Sequence, residues 1–342
     1  MAPPPAPRKR PAPDEACPTE AVGGGKIKRS RYNFENIDDY EMLEEIGEGD
    51  IGVVARARDR RTGDTVAVKW IRRRSSEGDA AAPNNLLAFV REAGCLAACR
   101  GIPGVVQVKS VATDEVDGDL YIIMEQVAGR TLRSQLARGK PFSEDEARDA
   151  MRQLLEAAEG LRATGTVHRD INPDNVLVGH DGALKICGFG CAAPARPKGR
   201  PTSPVPDVPA GTMQYRSPEQ LLNGRSFGPE ADTWALGCVM AEMLAGKPLF
   251  TATTEEDMLT QVIDLYDDLI TMGVEAFDDV LELSTAGREV LAGLLSYDSW
   301  ERLTAADALK HRWFTEDDDA ETKPPVDVKT MYPGFVPLFS EA

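Results

Sequence analysis

The chain has 342 residues, enough for one large or two ordinary domains with a sizeable buried core. Its 42% hydrophobic and 28% charged content is that of a soluble globular protein, and no run of about 18 apolar residues offers a membrane span. A net charge of −17 argues against general nucleic-acid binding, which needs a basic surface.

The charge is unevenly spread. Residues 1–31 carry seven Lys/Arg against three Asp/Glu, net +4, which leaves −21 for residues 32–342. Residues 1–39 are rich in proline and alanine, contain Gly23-Gly24-Gly25 and lack apolar periodicity, so they are expected to be a disordered basic tail. The stretch lacks an apolar h-region, so no secretory signal is expected. Arg8-Lys9-Arg10 and Lys26-Ile27-Lys28-Arg29, 15 residues apart, resemble a bipartite nuclear import signal. A solvated basic linker is the other reading, and the expected location is nucleus, cytoplasm or both. Six cysteines (Cys17, Cys95, Cys99, Cys187, Cys191 and Cys238) form no paired framework, and the two four-residue spacings have no histidine cluster beside them. Free thiols are expected rather than a zinc site.

From Tyr40 the pattern changes. Ile46-Gly47-Glu48-Gly49-Asp50-Ile51-Gly52-Val53-Val54 reads G-x-G-x-x-G-x-V and lies between β-branched segments rather than opening a helix. Val66-Ala67-Val68-Lys69 follows at a hairpin's distance. Leu86–Cys99 reads as one helix bearing Arg91-Glu92, and Leu120–Met124 as another strand, continuing into Met124-Glu125-Gln126-Val127. Ser143, with Glu146 three residues on, forms a capping box before an amphipathic helix to Arg162. His168-Arg169-Asp170 precedes Asn172, Pro173, Asp174 and Asn175; Gly188-Phe189-Gly190, Tyr215-Arg216-Ser217-Pro218-Glu219, Asp232-Thr233-Trp234 and Arg302 follow. Helical patterns dominate from residue 230 to Phe314, and residues 315–342 form an acidic, proline-punctuated tail.

These segments resemble protein kinases over residues 40–314, with the Y-R-x-P-E form similar to the CMGC-type group and an overall likeness to cyclin-dependent serine/threonine kinases. The resemblance implies an α+β fold of two lobes, a small β-rich N-lobe over about 40–127 and a larger helical C-lobe over about 128–314. It implies ATP held by the glycine-rich loop, Ile46 to Val54, with Ala67 and Leu177 sandwiching the base and the backbone of Glu125 and Val127 on the adenine edge. Lys69, oriented by Glu92, would neutralise the α and β phosphates. Asp170 would accept the proton of a protein substrate's hydroxyl, and Asn175 would ligate Mg2+ and brace the loop. Arg302 would pair with Glu219.

Five departures bear on the chemistry. Gly188 stands where the family has its metal-binding aspartate, and Asn172 where it has a lysine. Magnesium is usually held by one or two carboxylates plus phosphates, so its binding is expected to be weakened. Losing one preorganised charge-stabilising group typically costs about 10²–10³ in rate. Asp50, at the loop tip, is either a substitute metal ligand or a solvated carboxylate. Asp50 and Ile51 also replace the family's inhibitory Thr-Tyr pair. Asn85–Glu92 keeps only the final Arg-Glu of the cyclin-binding P-S-T-A-I-R-E helix, which puts cyclin binding in doubt. Asp207 stands where the activating phosphothreonine is expected, either standing in for it near Arg91 and Arg169 or acting as a plain loop aspartate. The sequence therefore supports a cyclin-dependent-kinase-like Ser/Thr kinase, with a catalytically impaired pseudokinase serving as a binding or scaffold module as the alternative.

Overall fold

The computed structural model describes residues 34–49, 52–71, 85–116, 118–195, 211–223, 228–277 and 283–315. The basic segments of the N-terminal tail, Asp50, Ile51, Asp207 and the C-terminal tail from 316 lie outside them.

The N-terminal half is built on a six-stranded sheet. Its strands are β1 (Glu35–Asn36), β2 (Tyr40–Gly49), β3 (Gly52–Asp59), β4 (Thr65–Ile71), β5 (Val108–Thr113) and β6 (Leu120–Glu125), ordered β1-β5-β6-β4-β3-β2. Only β1 pairs in parallel, against β5; the other pairs are antiparallel, three of them (β2–β3, β3–β4 and β5–β6) between strands that follow each other in the chain. Side chains on β4 alternate between two faces. Val66 and Val68 join a small cluster with Tyr40, Ala57, Ala112 and Ile123, whereas Ala67 and Ile71 face the main core. Lys69 lies in register with that second pair, so the period of two aims it at helix α1 (Asn85–Ala98). On α1 the buried residues Phe89, Glu92, Cys95 and Leu96 recur at helical spacing and form the inner face.

Order begins before Tyr40, which corrects the expectation of disorder through residue 39. Glu35 and Asn36 pair with Ala112 and Thr113, and Asn36 caps a short 3-10 turn over Ile37–Asp39. Glu35 accepts hydrogen bonds from Tyr40 and from Ser110 (2.8 Å), with Arg61 3.1 Å away. Phe34 stacks on Phe89 at 6.1 Å between ring centroids. A few specific polar and aromatic contacts made with distant residues order this segment, and local hydrophobic periodicity does not register them.

Beyond Glu125 a second sheet starts: β7 (Gly129–Thr131), β9 (Val176–Gly179) and β10 (Leu184–Ile186), with β9 central. A two-stranded ladder joins β8 (Thr166–Val167) to β11 (Ala193–Pro194). The remaining mass is helical: α2 (Leu132–Leu136), α3 (Glu144–Ala163), α4 (Pro218–Asn223), α5 (Glu230–Ala245), α6 (Glu255–Met272), α7 (Thr285–Leu294), α8 (Ala305–Ala308) and α9 (Arg312–Thr315). The capping box at Ser143 forms with both reciprocal bonds, which fixes the start of α3. Helix α5 is apolar on nearly every side and correspondingly buried, packing against α3 and α7. Two acidic residues buried inside it, Asp232 and Glu242, stand out: Asp232 holds the backbone at His168 and Arg169, and Glu242 holds Arg133 and Tyr215. Among the described residues no helix is long and apolar enough to cross a membrane.

Candidate active site

The cleft lies where the six-stranded sheet meets the second sheet. On the sheet side, Lys69 Nζ donates to both carboxylate oxygens of Glu92 at 2.7 and 2.8 Å. Glu92 is 1% exposed, so burial gives the pair a lower local dielectric and a stronger attraction than at a surface. The two residues come from different elements, and their closure sets α1 against β4. Val54 and Leu177 are partly buried against the core beside buried Ala67, and Met124 is buried at the end of β6. Ile46 is largely exposed, so that wall is open to solvent.

The glycines of the loop divide by cause. At Gly52 an added Cβ would meet the Trp70 carbonyl oxygen at 2.0 Å, so strand packing alone demands glycine there. At Gly49 nothing lies within 4 Å, and at Gly47 only Val54 Cβ at 3.9 Å. No packing reason requires glycine at these two positions, which suits a backbone that a ligand approaches closely. Glu48 is exposed, Val53 is half-buried, and the tip residues Asp50 and Ile51 lie outside the described residues.

At the β6 end, Glu125 N–H donates to Gln107 O (2.8 Å). The Glu125 side chain binds Lys185 Nζ (2.7 Å) and accepts from Gln107 N–H (2.9 Å), tying the sheet to β10. Val127 is half-buried, and its carbonyl accepts from the Gln126 amide at 3.2 Å.

The loop below is held from α5. Asp232 accepts the backbone N–H groups of His168 and Arg169, each at 2.8 Å. Burial lifts the Asp232 carboxyl above its ordinary range, against those two donors, which pull it down. Arg169 has φ +68°, the only positive φ outside glycine among the described residues, and the clamp on its N–H stabilises that conformation. His168 Nδ1 accepts from Asp170 N–H (3.3 Å), which makes Nε2 the donor to Cys187 O (2.8 Å). Its ring meets Phe189 edge-on at 4.8 Å.

Asp170 is enclosed by donors. Its Oδ1 accepts from Thr212 N–H (2.7 Å), Thr212 Oγ1 (2.9 Å) and Asn172 Nδ2 (2.9 Å), and its Oδ2 from Asn175 Nδ2 (2.9 Å). Asn172 is 2% exposed, and its Oδ1 accepts the N–H groups of Asp174 (2.9 Å) and Asn175 (3.3 Å). It therefore caps the turn Pro173–Asn175 and does not point a polar group at a ligand. Asn175 also donates to Asp170 O at 2.9 Å.

Gly188 is left-handed, φ +78° and ψ 45°, and an added Cβ would lie 2.2 Å from Asn175 Oδ1 and 2.5 Å from its Cγ. The Asn175 side chain fills the direction an aspartate would take. Among the described residues no group of three or more His, Cys, Asp or Glu is placed to hold a metal ion. Asn175 Oδ1 is a neutral donor, and the Asp170 carboxylate is already bonded on both oxygens, so these residues do not make the carboxylate-rich oxygen set that Mg2+ favours.

The segment after the cleft is anchored as the sequence suggests, and also in a way it does not. Arg302 Nη1 and Nη2 donate to Glu219 at 2.7 and 2.9 Å, in a bidentate pair. Arg133 of α2 donates to Tyr215 Oη (2.6 Å), to Glu242 and to Asp174 (3.2 Å). Burial and the neighbouring Glu242 carboxylate push the Tyr215 phenol up. Neither the Arg133 cluster nor the Thr212 bonds to Asp170 follow from motif reading. A detectable signal was the presence of acidic residues inside the otherwise apolar α5.

This fold and site define a protein kinase, and comparison with known proteins agrees. The protein kinase domain family matches residues 40–314. A curated relative from Oryza sativa subsp. japonica, named "Putative cyclin-dependent kinase F-2", is 40% identical over 316 residues, covering 84% of this chain and 93% of the relative. Cyclin-dependent kinase G1 of Arabidopsis thaliana is 33% identical over 316 residues, covering 83% of this chain; the chain spans 50% of that protein's length. A solved structure of the CAK complex from Chaetomium thermophilum bound to ATP-gamma-S shares the fold at TM-score 0.69 and 24% identity, covering 82% of this chain and 92% of that one. The chain belongs to the protein kinase family, and its relatives are cyclin-dependent kinases of the CMGC type.

Proposed function

We propose that the chain is an ATP-dependent, cyclin-dependent-kinase-like Ser/Thr protein kinase that transfers slowly. The observation that carries this reading is the closed Lys69–Glu92 pair, in which Lys69 Nζ donates to both carboxylate oxygens of Glu92 at 2.7 and 2.8 Å. In this reading adenine lies between Val54 and Ala67 on one side and Leu177 on the other, with the backbone of Glu125 and Val127 at its edge. Gly47 and Gly49 bring backbone over the phosphates, and Lys69 neutralises the α and β phosphates. A substrate Ser or Thr hydroxyl gives its proton to Asp170 Oδ2, which carries fewer donors than Oδ1, and its oxygen attacks the γ-phosphorus as ADP leaves. Incubation with γ-labelled ATP and mixed Ser/Thr peptides, followed by phosphoamino-acid analysis, tests the proposal; label on Ser or Thr is expected.

A second reading is a pseudokinase that binds nucleotide and partners without transfer. Gly188, with Asn175 filling its side-chain direction, favours it. Bound ATP with no label on any peptide would select it.

For partners, the names of the relatives suggest a cyclin-type protein. Exposed Leu87 and Val90 give α1 an apolar outer face that supports a protein partner there, although the sequence has lost most of the P-S-T-A-I-R-E helix. Protein substrates follow from the kinase reading. For location we propose entry to the nucleus directed by Arg8-Lys9-Arg10 and Lys26-Ile27-Lys28-Arg29. A fluorescent fusion with these residues changed to alanine should then lose nuclear signal.

A further inference from the structure

We infer that this cleft takes ATP as the bare polyphosphate anion, with no divalent cation held by the protein, and that Asn175 maintains this state together with Gly188. The inference rests on the nucleotide reading above. Mg2+ demands a near-octahedral set of hard oxygens and is usually bound through one or two carboxylates plus phosphates. Among the described residues the nearby carboxylates are otherwise engaged. Asp170 accepts from Thr212, Asn172 and Asn175, and Asp174 takes Arg133 at 3.2 Å.

The position that would add a carboxylate is occupied in two senses. Residue 188 has no side chain, and Asn175 Oδ1 lies 2.2 Å from where its Cβ would be. Asn175 cannot swing aside cheaply. Its Nδ2 holds both Asp170 O and Asp170 Oδ2 at 2.9 Å, and its backbone N–H is bonded to Asn172. Asn172 completes the arrangement by binding Asp170 Oδ1 (2.9 Å) and Thr212 Oγ1 (3.1 Å), so the loop forms a closed ring of neutral amides and a hydroxyl around one carboxylate. The described counter-charge for phosphates is then the ammonium of Lys69, which needs no metal to act.

Calorimetric titration of the full chain with ATP, in EDTA and in excess MgCl2, tests this. The wild type is expected to bind with dissociation constants within about fivefold of each other. Tightening by Mg2+ beyond that would overturn the inference. Gly188→Asp alone is expected to lower the melting temperature and to leave the two constants equally close, because its Cβ collides with Asn175. Gly188→Asp with Asn175→Ala, which clears that space, is expected to gain affinity on adding Mg2+. A single variant that gains Mg2+ dependence at an unchanged melting temperature would overturn the role given to Asn175. Absence of ATP binding by the wild type in both buffers would instead overturn the nucleotide reading, and Lys69→Ala should show that pattern.

Discussion

Replacing Asp232 should loosen the catalytic loop from beneath. Its two carboxylate oxygens hold the N–H groups of His168 and Arg169 at 2.8 Å each, in a fully buried setting. Asp232→Ala leaves both donors without a partner, and an orphaned buried donor costs about 1–3 kcal/mol, so the sum is about 2–6 kcal/mol. Asp232→Asn keeps one acceptor oxygen and turns an amide donor toward the other N–H, so about half that loss is expected. Arg169 should report the change most directly. Its left-handed backbone costs roughly 1–2 kcal/mol and is held by the same bond. Urea titration of wild type and both variants gives the stability differences, and hydrogen exchange gives the local opening at residues 168 and 169. A loss under about 1 kcal/mol in the alanine variant, or unchanged exchange at those amides, would refute the clamp.

Arg302→Ala removes a fully buried guanidinium that serves Glu219 and the carbonyls of Ser296, Glu230 and Tyr297. Breaking a buried pair costs about 3–5 kcal/mol; Glu219 is a quarter exposed, so a loss near 3 kcal/mol and a drop of ~5 °C by scanning calorimetry are expected. Arg302→Lys should recover little, because one ammonium cannot reproduce the fork. Burial pushes the Cys187 thiol up to about 12 and the Cys95 thiol up to about 11, so iodoacetamide at mildly alkaline pH should leave both unmodified in the native protein and label them after unfolding, as read by mass spectrometry. Burial pushes the Glu144 carboxyl up, but bonds from Ser284 and Trp313 outweigh it and hold the group below its ordinary value. As pH falls, the unfolded chain takes up this proton first, so the stability Glu144 contributes is full above its unfolded value and is lost as pH drops through its folded value. Glu144→Gln should flatten the acid limb of a stability-against-pH curve, and an unchanged limb would count against that contribution.

What could be read from the sequence was local. Alternation along Val66–Lys69 and the helical spacing of Phe89, Glu92 and Leu96 already aim Lys69 and Glu92 toward each other. Short motifs likewise marked the Asp170 loop, Glu219 and Arg302. The rest depends on contacts between distant segments. Thr212 reaches Asp170 from 42 residues away, and Arg133 meets Tyr215 and Glu242 across 82 and 109 residues. Asn172 illustrates the difference: the sequence shows a lost lysine, whereas the fold shows a buried amide that caps a turn and braces the base. Gly188 reads in the sequence as a missing ligand, but only the fold shows Asn175 in the space a ligand would need.

The central claim, that the cleft retains the means to transfer phosphate, is tested most directly by the rate of label transfer from γ-labelled ATP to a Ser/Thr peptide, compared between wild type and Asp170→Asn. Slow transfer by the wild type is expected, with a loss of about 10²-fold or more in the variant, in line with removal of a general base. Equal rates in the two, or no transfer by a wild type that binds ATP, would contradict it.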